Sequence, residues 1–276
     1  KYLVPNRRVK ERLGLYGVKQ DQIFITGFPL PKENIGGRDL KVLKKSLGER
    51  IGHLDQDGRY RKKYHETLKE FLGNNYCQQS CDVKHPLTIT FAVGGAGAQK
   101  DLGAQILTSL RHQIDKGLLR LNLVAGTRND VYLYYQRVIK NLGLLKKQNG
   151  HVNILFDESK AEYFIKFNEL LLTTDILWTK PSELSFYAGL GLPIIMAPTV
   201  GSQEEFNRVW LESTGAGVRQ EDPKYTHEWL FDWLKSGWLA EAAMNGFLDA
   251  PRNGAYHIEE VVLKGKKSEI EDIHLL

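Results

Sequence analysis

The chain has 276 residues, 42% hydrophobic and 26% charged, enough for one large or two modest domains with a real core. That apolar content excludes intrinsic disorder, 9 Pro exclude a collagen-like chain, and two Cys cannot build a disulfide framework. The net charge of +5 is split: residues 1–69 hold 17 Lys and Arg against 8 Asp and Glu, and the remainder 21 against 25.

The chain opens on Lys1 rather than Met, and further chain is expected before it. Residues 9–17 read as a short helix and 22–26 as a strand, followed by the breaker string Gly27-Phe28-Pro29-Leu30-Pro31, a linker. Residues 38–73 are basic and helical. The charge of residues 1–69 reads first as a solvated face and second as contact with an anionic membrane surface or a partner. Nucleic acid is discounted, because the aromatics there do not cluster. Cys77 and Cys81, with His85 four residues on, offer at most three zinc ligands and read as free thiols or a solvated turn.

From residue 87 onward strand and helix signals alternate. Residues 87–93 are short, β-branched and apolar, and Gly94, Gly95 and Gly97 follow at once. Leu102, Ile106, Leu110 and Ile114 then repeat every four residues on one helical face. Further strands are predicted at 119–124, 152–156, 176–179 and 193–197, with helices at 131–142, around 163–171, at 183–190 and at 204–213. This alternation predicts an α/β fold with a Rossmann-like, doubly wound parallel sheet. The tail, 226–262, is helical and carries Trp229, Trp233 and Trp238, which read as packing rather than a stacking site. No apolar run approaches the roughly 18 residues of a spanning helix, and the start has no signal-peptide stretch, so the expected location is cytoplasmic.

Two stretches carry chemistry. The loop Gly94-Gly95-Ala96-Gly97-Ala98 lies between a strand and a helix, where small residues let backbone N–H groups reach an anion. It fits neither a Walker loop nor a dinucleotide fingerprint, and alone it reads equally as tight strand–helix packing or as a phosphate cradle. The second stretch runs from 179 to 207. Lys180 and Glu183 follow one strand; Gln203, Glu204 and Asn207 open the helix after the next. Amides beside a carboxylate suit a polyhydroxylated ligand, since each hydroxyl both donates and accepts. The alternative is ordinary helix capping by Ser182 and Ser202.

In order, Val93 through Gln99, Lys180-Pro181, Gly191-Leu192-Pro193, the set Pro198, Gly201, Gln203, Glu204 and Asn207, and Gly215-Ala216-Gly217 resemble the donor half of GT-B glycosyltransferases. The similarity is to the peptidoglycan lipid-intermediate GlcNAc transferase and to the monogalactosyl- and processive diglucosyl-diacylglycerol synthases. Residues 23–29 (IFITGFP) resemble the crossing from the first domain into the second. The resemblance implies residues 1–31 as the end of an N-terminal acceptor domain with its linker, 32–85 as a basic helical insertion, and 86–276 as a nucleotide-sugar donor domain with a helical C-terminal tail.

It further implies that Gly94, Gly95, Gly97, Ala98 and Lys180 face a donor diphosphate, and that Phe156 and Glu183 lie by the nucleoside. Gln203, Glu204 and Asn207 would hold the donor sugar. The family's ribose-binding Glu falls on Phe186, which leaves Glu183 as the nearby carboxylate. No catalytic base is assigned, and His85, His151, His227 and His257 read as structural or surface residues. No Asp-x-Asp stands at a strand end, so no metal and no cofactor is expected beyond the substrate, a UDP-sugar. The expected activity is inverting, metal-independent transfer to a lipid-linked or glycan acceptor, held by a domain missing from this chain. A membrane-peripheral position on the inner face of the cell membrane follows from that acceptor class. An epimerase or hydrolase of the same fold, or a non-catalytic nucleotide-sugar-binding protein, is the alternative.

Overall fold

The computed structural model describes residues 1–73, 85–92, 94, 97, 99–148 and 150–264. The chain begins with a small β-α-β unit: β1 (Tyr2–Val4), α1 (Arg7–Leu15) and β2 (Ile23–Ile25). Asn6 caps α1 by accepting from the Val9 amide at 3.0 Å, and β1 and β2 pair in parallel from Tyr2↔Ile23 to Val4↔Ile25. The linker then leads into α2 (Lys32–Ile35), α3 (Lys41–Leu54), α4 (Arg59–Lys63) and α5 (His65–Leu72).

The basic segment is amphipathic. Leu43, Leu47, Ile51 and Leu54 recur along one face of α3 and are buried, while Lys41, Lys45, Lys62, Lys63 and Lys69 stay exposed. The solvated face expected from the charge is therefore half the story; the other half belongs to the main core. Arg50 is 2% exposed on the buried side. Its Nε donates to Thr174 O at 2.9 Å, and its Nη1 donates to Leu190 O and Gly191 O at 2.9 and 3.0 Å. Burial pulls the guanidinium down to about 10, still charged at neutral pH.

The main sheet is built from β3 (Leu87–Ala92), β4 (Leu119–Gly126), β5 (Val152–Phe156), β6 (Ile176–Thr179), β7 (Ile194–Met196) and β8 (Gly217–Arg219). All pairs are parallel, in the spatial order β5-β4-β3-β6-β7-β8. The first strand is central and the chain winds outward on both sides, the doubly wound arrangement expected from the sequence. Each residue of β3 is buried, because helices cover both faces. One row of the sheet is polar: Asn153 donates to Asn122 (2.9 Å), Asn122 to Thr90 (3.1 Å), and Thr90 meets Thr174 (2.7 Å). These buried groups satisfy one another, which is the condition for tolerating them in a core.

The connecting helices are α6 (Lys100–Ser109), α7 (Arg111–Asp115), α8 (Asn129–Asn141), α9 (Lys160–Leu171) and α10 (Ser202–Ser213). The tail forms α11 (Thr226–Ser236), α12 (Trp238–Asp249) and α13 (Gly254–Leu263). Three local predictions need adjustment. The helix expected at 183–190 is a 3-10 stretch, Glu183–Leu190, whose buried residues share no single helical face. The helix over 102–114 breaks at Leu110. Strand β8 had no signal, since its three residues are strand only through pairing with β7.

Trp229 packs edge-on against buried Trp178, Trp233 follows at 4.5 Å, and Trp238 ends the row 44% exposed. The last helix returns to the linker. His257 Nδ1 lies 3.0 Å from Thr26 O, and Glu259 and Glu260 on α13 pair with Lys32 and Arg38.

Candidate functional site

In a sheet of this order a crevice opens where the winding reverses, here between the carboxyl ends of β3 and β6. Thr179 at the end of β6 donates from Oγ1 to Ala92 O at 3.3 Å, pinning the two strand ends together. Above them lies a cavity of about 760 Å³. Its floor is Ala92, Gly94, Val124 to Thr127 and Thr179. Its walls are the linker residues Phe28, Pro29 and Pro31, the α9 residues Lys160, Tyr163, Phe164, Phe167 and Asn168, and Ser182, Glu183, Leu184 and Tyr187. Arg128 stands at the edge. A lining of aromatic rings with Gly94, Gly126 and the cations Arg128 and Lys160 suits a flat base attached to an anionic tail.

Gly94 of the glycine loop meets Lys180 of the 179–207 stretch. A side chain on Gly94 would overlap Lys180, so Gly94 lies directly against that lysine. Gly97 has φ +68°, and a Cβ there would come within 2.9 Å of Val131 Cγ2, which only glycine avoids. The Gly97 amide closes a turn onto Gly94 O at 2.7 Å. Gly95 and Ala98 lie outside the described residues. Gln99 ties the loop across to the next segment, donating from Nε2 to Pro198 O at 3.0 Å.

Lys180 donates to Glu204 Oε1, and Glu204 Oε2 accepts from the Val200 amide at 2.7 Å. Burial pushes the Glu204 carboxyl upward, but the hydrogen bonds from Lys180 and Val200 outweigh it and hold it below the usual carboxylate range. Asn207 donates from Nδ2 to Pro181 O and Ser182 O, both at 3.2 Å, and so fixes the backbone that carries Lys180 and Glu183. Gln203 is exposed on the first turn of α10. Glu183 lines the cavity. Phe156 ends β5 with its ring stacked on Tyr132 at 5.0 Å; it is not among the described residues that line the cavity.

Phe186 has a packing role. Its ring stacks on Phe28 at 4.6 Å and 12° and lies 5.4 Å from Trp210, holding the linker against the 3-10 stretch. Two phenols border the cavity. Burial, and the nearby Glu183 carboxylate, push Tyr163 to about 12; burial with Tyr163, Glu33 and Glu183 does the same to Tyr187. Both therefore keep their O–H protons at neutral pH. Arg128 escaped the sequence reading. Its guanidinium lies next to Gly97 and pairs with Asp130 at 2.9 Å. The only signal was its place just after Gly126, at the end of the second strand of the sheet.

Residues 74–257 match the family described as a domain of unknown function, DUF6938. The chain belongs to that family. This DUF6938 chain is also 27% identical over 270 residues to a processive diacylglycerol beta-glucosyltransferase of Bacillus cytotoxicus, covering 96% of itself and 56% of that protein. It thus spans little more than half the length of the curated relative it matches. Among solved structures, a UDP-GlcNAc 2-epimerase from Neisseria meningitidis bound to UDP-GlcNAc superposes with a TM-score of 0.51 at 13% identity, over 94% of this chain and 60% of that one. A protein assigned as a UDP-N-acetylglucosamine 2-epimerase of Listeria monocytogenes gives 0.51 at 14% identity, over 99% and 61%. The fold is the glycosyltransferase-like GT-B type with a Rossmann-like parallel sheet, as the sequence motifs implied.

Proposed function

We propose that this chain is the donor-binding part of an inverting glycosyltransferase that takes a UDP-sugar and needs no metal ion. The observation that carries the reading is the cavity at the reversal point of the sheet, lined by Gly94 at the start of the glycine loop and by aromatic rings. The uracil and ribose occupy the aromatic end beside Glu183. The diphosphate sits on the amides of residues 94–98, where Lys180 and Arg128 supply positive charge in place of a divalent ion. The sugar reaches Gln203, Glu204 and Asn207 on α10. As the bond to the anomeric carbon breaks, negative charge grows on the leaving diphosphate, and donors already aimed at it lower the barrier. The group that deprotonates the acceptor belongs to a facing domain, as does the acceptor site, a lipid-linked or glycan hydroxyl.

Calorimetry on the full chain with UDP tests the reading. UDP is expected to bind, and Arg128→Ala to weaken it by about ten- to a hundredfold, the worth of a charge-assisted hydrogen bond of roughly 1.5–3 kcal/mol. No heat and no thermal shift at millimolar UDP would remove the donor-site assignment. Incubation with UDP-GlcNAc separates the second reading, since an epimerase would change the sugar without an acceptor.

A further inference from the structure

At the opposite edge of the sheet from the cavity, three side chains converge that the proposed chemistry leaves unused. His53 lies in the last turn of α3, His85 just before β3, and Asp175 just before β6. A nitrogen from each ring and one Asp175 oxygen lie within 4.8 Å of one another. We propose that His53, His85 and Asp175 form a binding site for a divalent transition ion of the zinc class, which clasps α3 to the amino-terminal edge of the sheet.

The donor set is two imidazoles and a carboxylate, which suits a borderline divalent ion rather than Ca²⁺ or Mg²⁺, whose ligands are oxygens. The spacing suits it as well. Tetrahedral zinc with bonds of about 2.0–2.1 Å holds its ligand atoms about 3.3 Å apart. Here Asp175 Oδ2 is 2.8 Å from His53 Nδ1 and 3.8 Å from His85 Nδ1, on either side of that separation. The two rings stand 5.0 Å apart at 72°. His85 Nδ1 also lies 3.0 Å from Pro86 O and 3.4 Å from Thr88 Oγ1, contacts that an ion would displace.

The carboxylate is held in advance. Asp175 Oδ2 accepts from the Thr88 amide at 2.7 Å, while the Asp175 amide donates to Thr88 O at 2.8 Å. Such support orients a ligand before the ion arrives. The side chains are enclosed but reachable, with His53 16%, His85 13% and Asp175 2% exposed. Arg50, three residues before His53, is a nearby cation that feels the Asp175 charge, but its guanidinium hydrogen bonds go to the Thr174, Leu190 and Gly191 carbonyls. An ion here would join segments 32 and 90 residues apart in the chain, since the ligands stand at 53, 85 and 175. The sequence separation explains why spacing alone could not reveal the set.

The test uses the full chain with Cys77 and Cys81 replaced by serine, so that no thiol contributes, stripped of metal by a chelator. Zinc is titrated by calorimetry and Co²⁺ serves as a spectroscopic probe. The expected result is one Zn²⁺ per chain, a tetrahedral-type Co²⁺ spectrum, and a raised melting temperature with Zn²⁺. His53→Ala and His85→Gln should each weaken binding by about a hundredfold or more, and His112→Ala on exposed α7 should not. Should His53→Ala fail to fold, His85→Gln and the Co²⁺ spectrum decide. The site is overturned by absence of binding, by a hydrated octahedral Co²⁺ spectrum, or by affinity that survives His85→Gln.

Discussion

Asn207 and Gln203 sit four residues apart on α10, yet their surroundings differ. Asn207 donates to the Pro181 and Ser182 carbonyls, whereas Gln203 points to solvent beside the loop. Gln203→Ala should therefore leave stability unchanged and weaken UDP-sugar binding by the worth of one neutral hydrogen bond, about 0.5–1.5 kcal/mol. Asn207→Ala should weaken the same binding and also lower the unfolding free energy by about 1 kcal/mol, because two loop carbonyls lose their donor. Calorimetry with UDP-sugar beside UDP, together with urea midpoints, checks both. Equal losses for UDP and UDP-sugar in Gln203→Ala would move that residue away from the sugar.

Helix α3 shows how a strongly charged segment becomes part of a core. Its leucines and Ile51 face inward, and Arg50 crosses the same face to hold three carbonyls at the starts of β6 and β7. Those carbonyls stand where a parallel sheet leaves backbone groups unpaired, and a guanidinium with its fixed fork of donors satisfies several at once. Arg50→Met keeps the bulk and removes the donors. The expected cost is about 3 kcal/mol or more, since buried acceptors are left without partners. Urea unfolding measures it, and UDP affinity of the folded fraction should not change, because the cavity lies at the other end of the strands. A loss below about 1 kcal/mol would mean that water takes over those carbonyls.

The cavity at the carboxyl ends of β3 and β6 and the basic helices occupy different parts of the molecule. Lys41, Lys45, Lys62, Lys63 and Lys69 are exposed on α3 to α5, with Glu66 and Glu70 also exposed on α5, and no helix among the described residues is long and apolar enough to cross a membrane. We propose that this segment rests on an anionic membrane surface and presents the donor to a lipid-linked acceptor. Each lysine near such a surface contributes about 1 kcal/mol, screened by salt. Sedimentation should carry the chain down with anionic vesicles at low salt and release it at high salt. Replacing Lys62, Lys63 and Lys69 by Glu should abolish that. Equal sedimentation with neutral vesicles would end the membrane reading.

Much of the sheet was legible because parallel strands buried on both faces leave short apolar runs, and their helices repeat at three and four residues. Residues 152–156 and 176–179 were read to the residue. The glycine loop and the Lys180 to Asn207 stretch were legible for a related reason: a strand end followed by a helix start places its residues at the carboxyl edge. What lacked a local signal was decided by contact. Strand β8 exists only as a partner of β7, and the 3-10 stretch takes its form from being enclosed. Phe186 stands where the resembled family has a ribose-binding Glu, and its ring packs on Phe28, a contact with no local signal. Arg128 beside Gly97, Arg50 on three carbonyls, and His53 and His85 around Asp175 join residues whose chain separation carries no periodicity. Local patterning reports which face of an element is buried; only the folded chain reports which distant side chains share that burial.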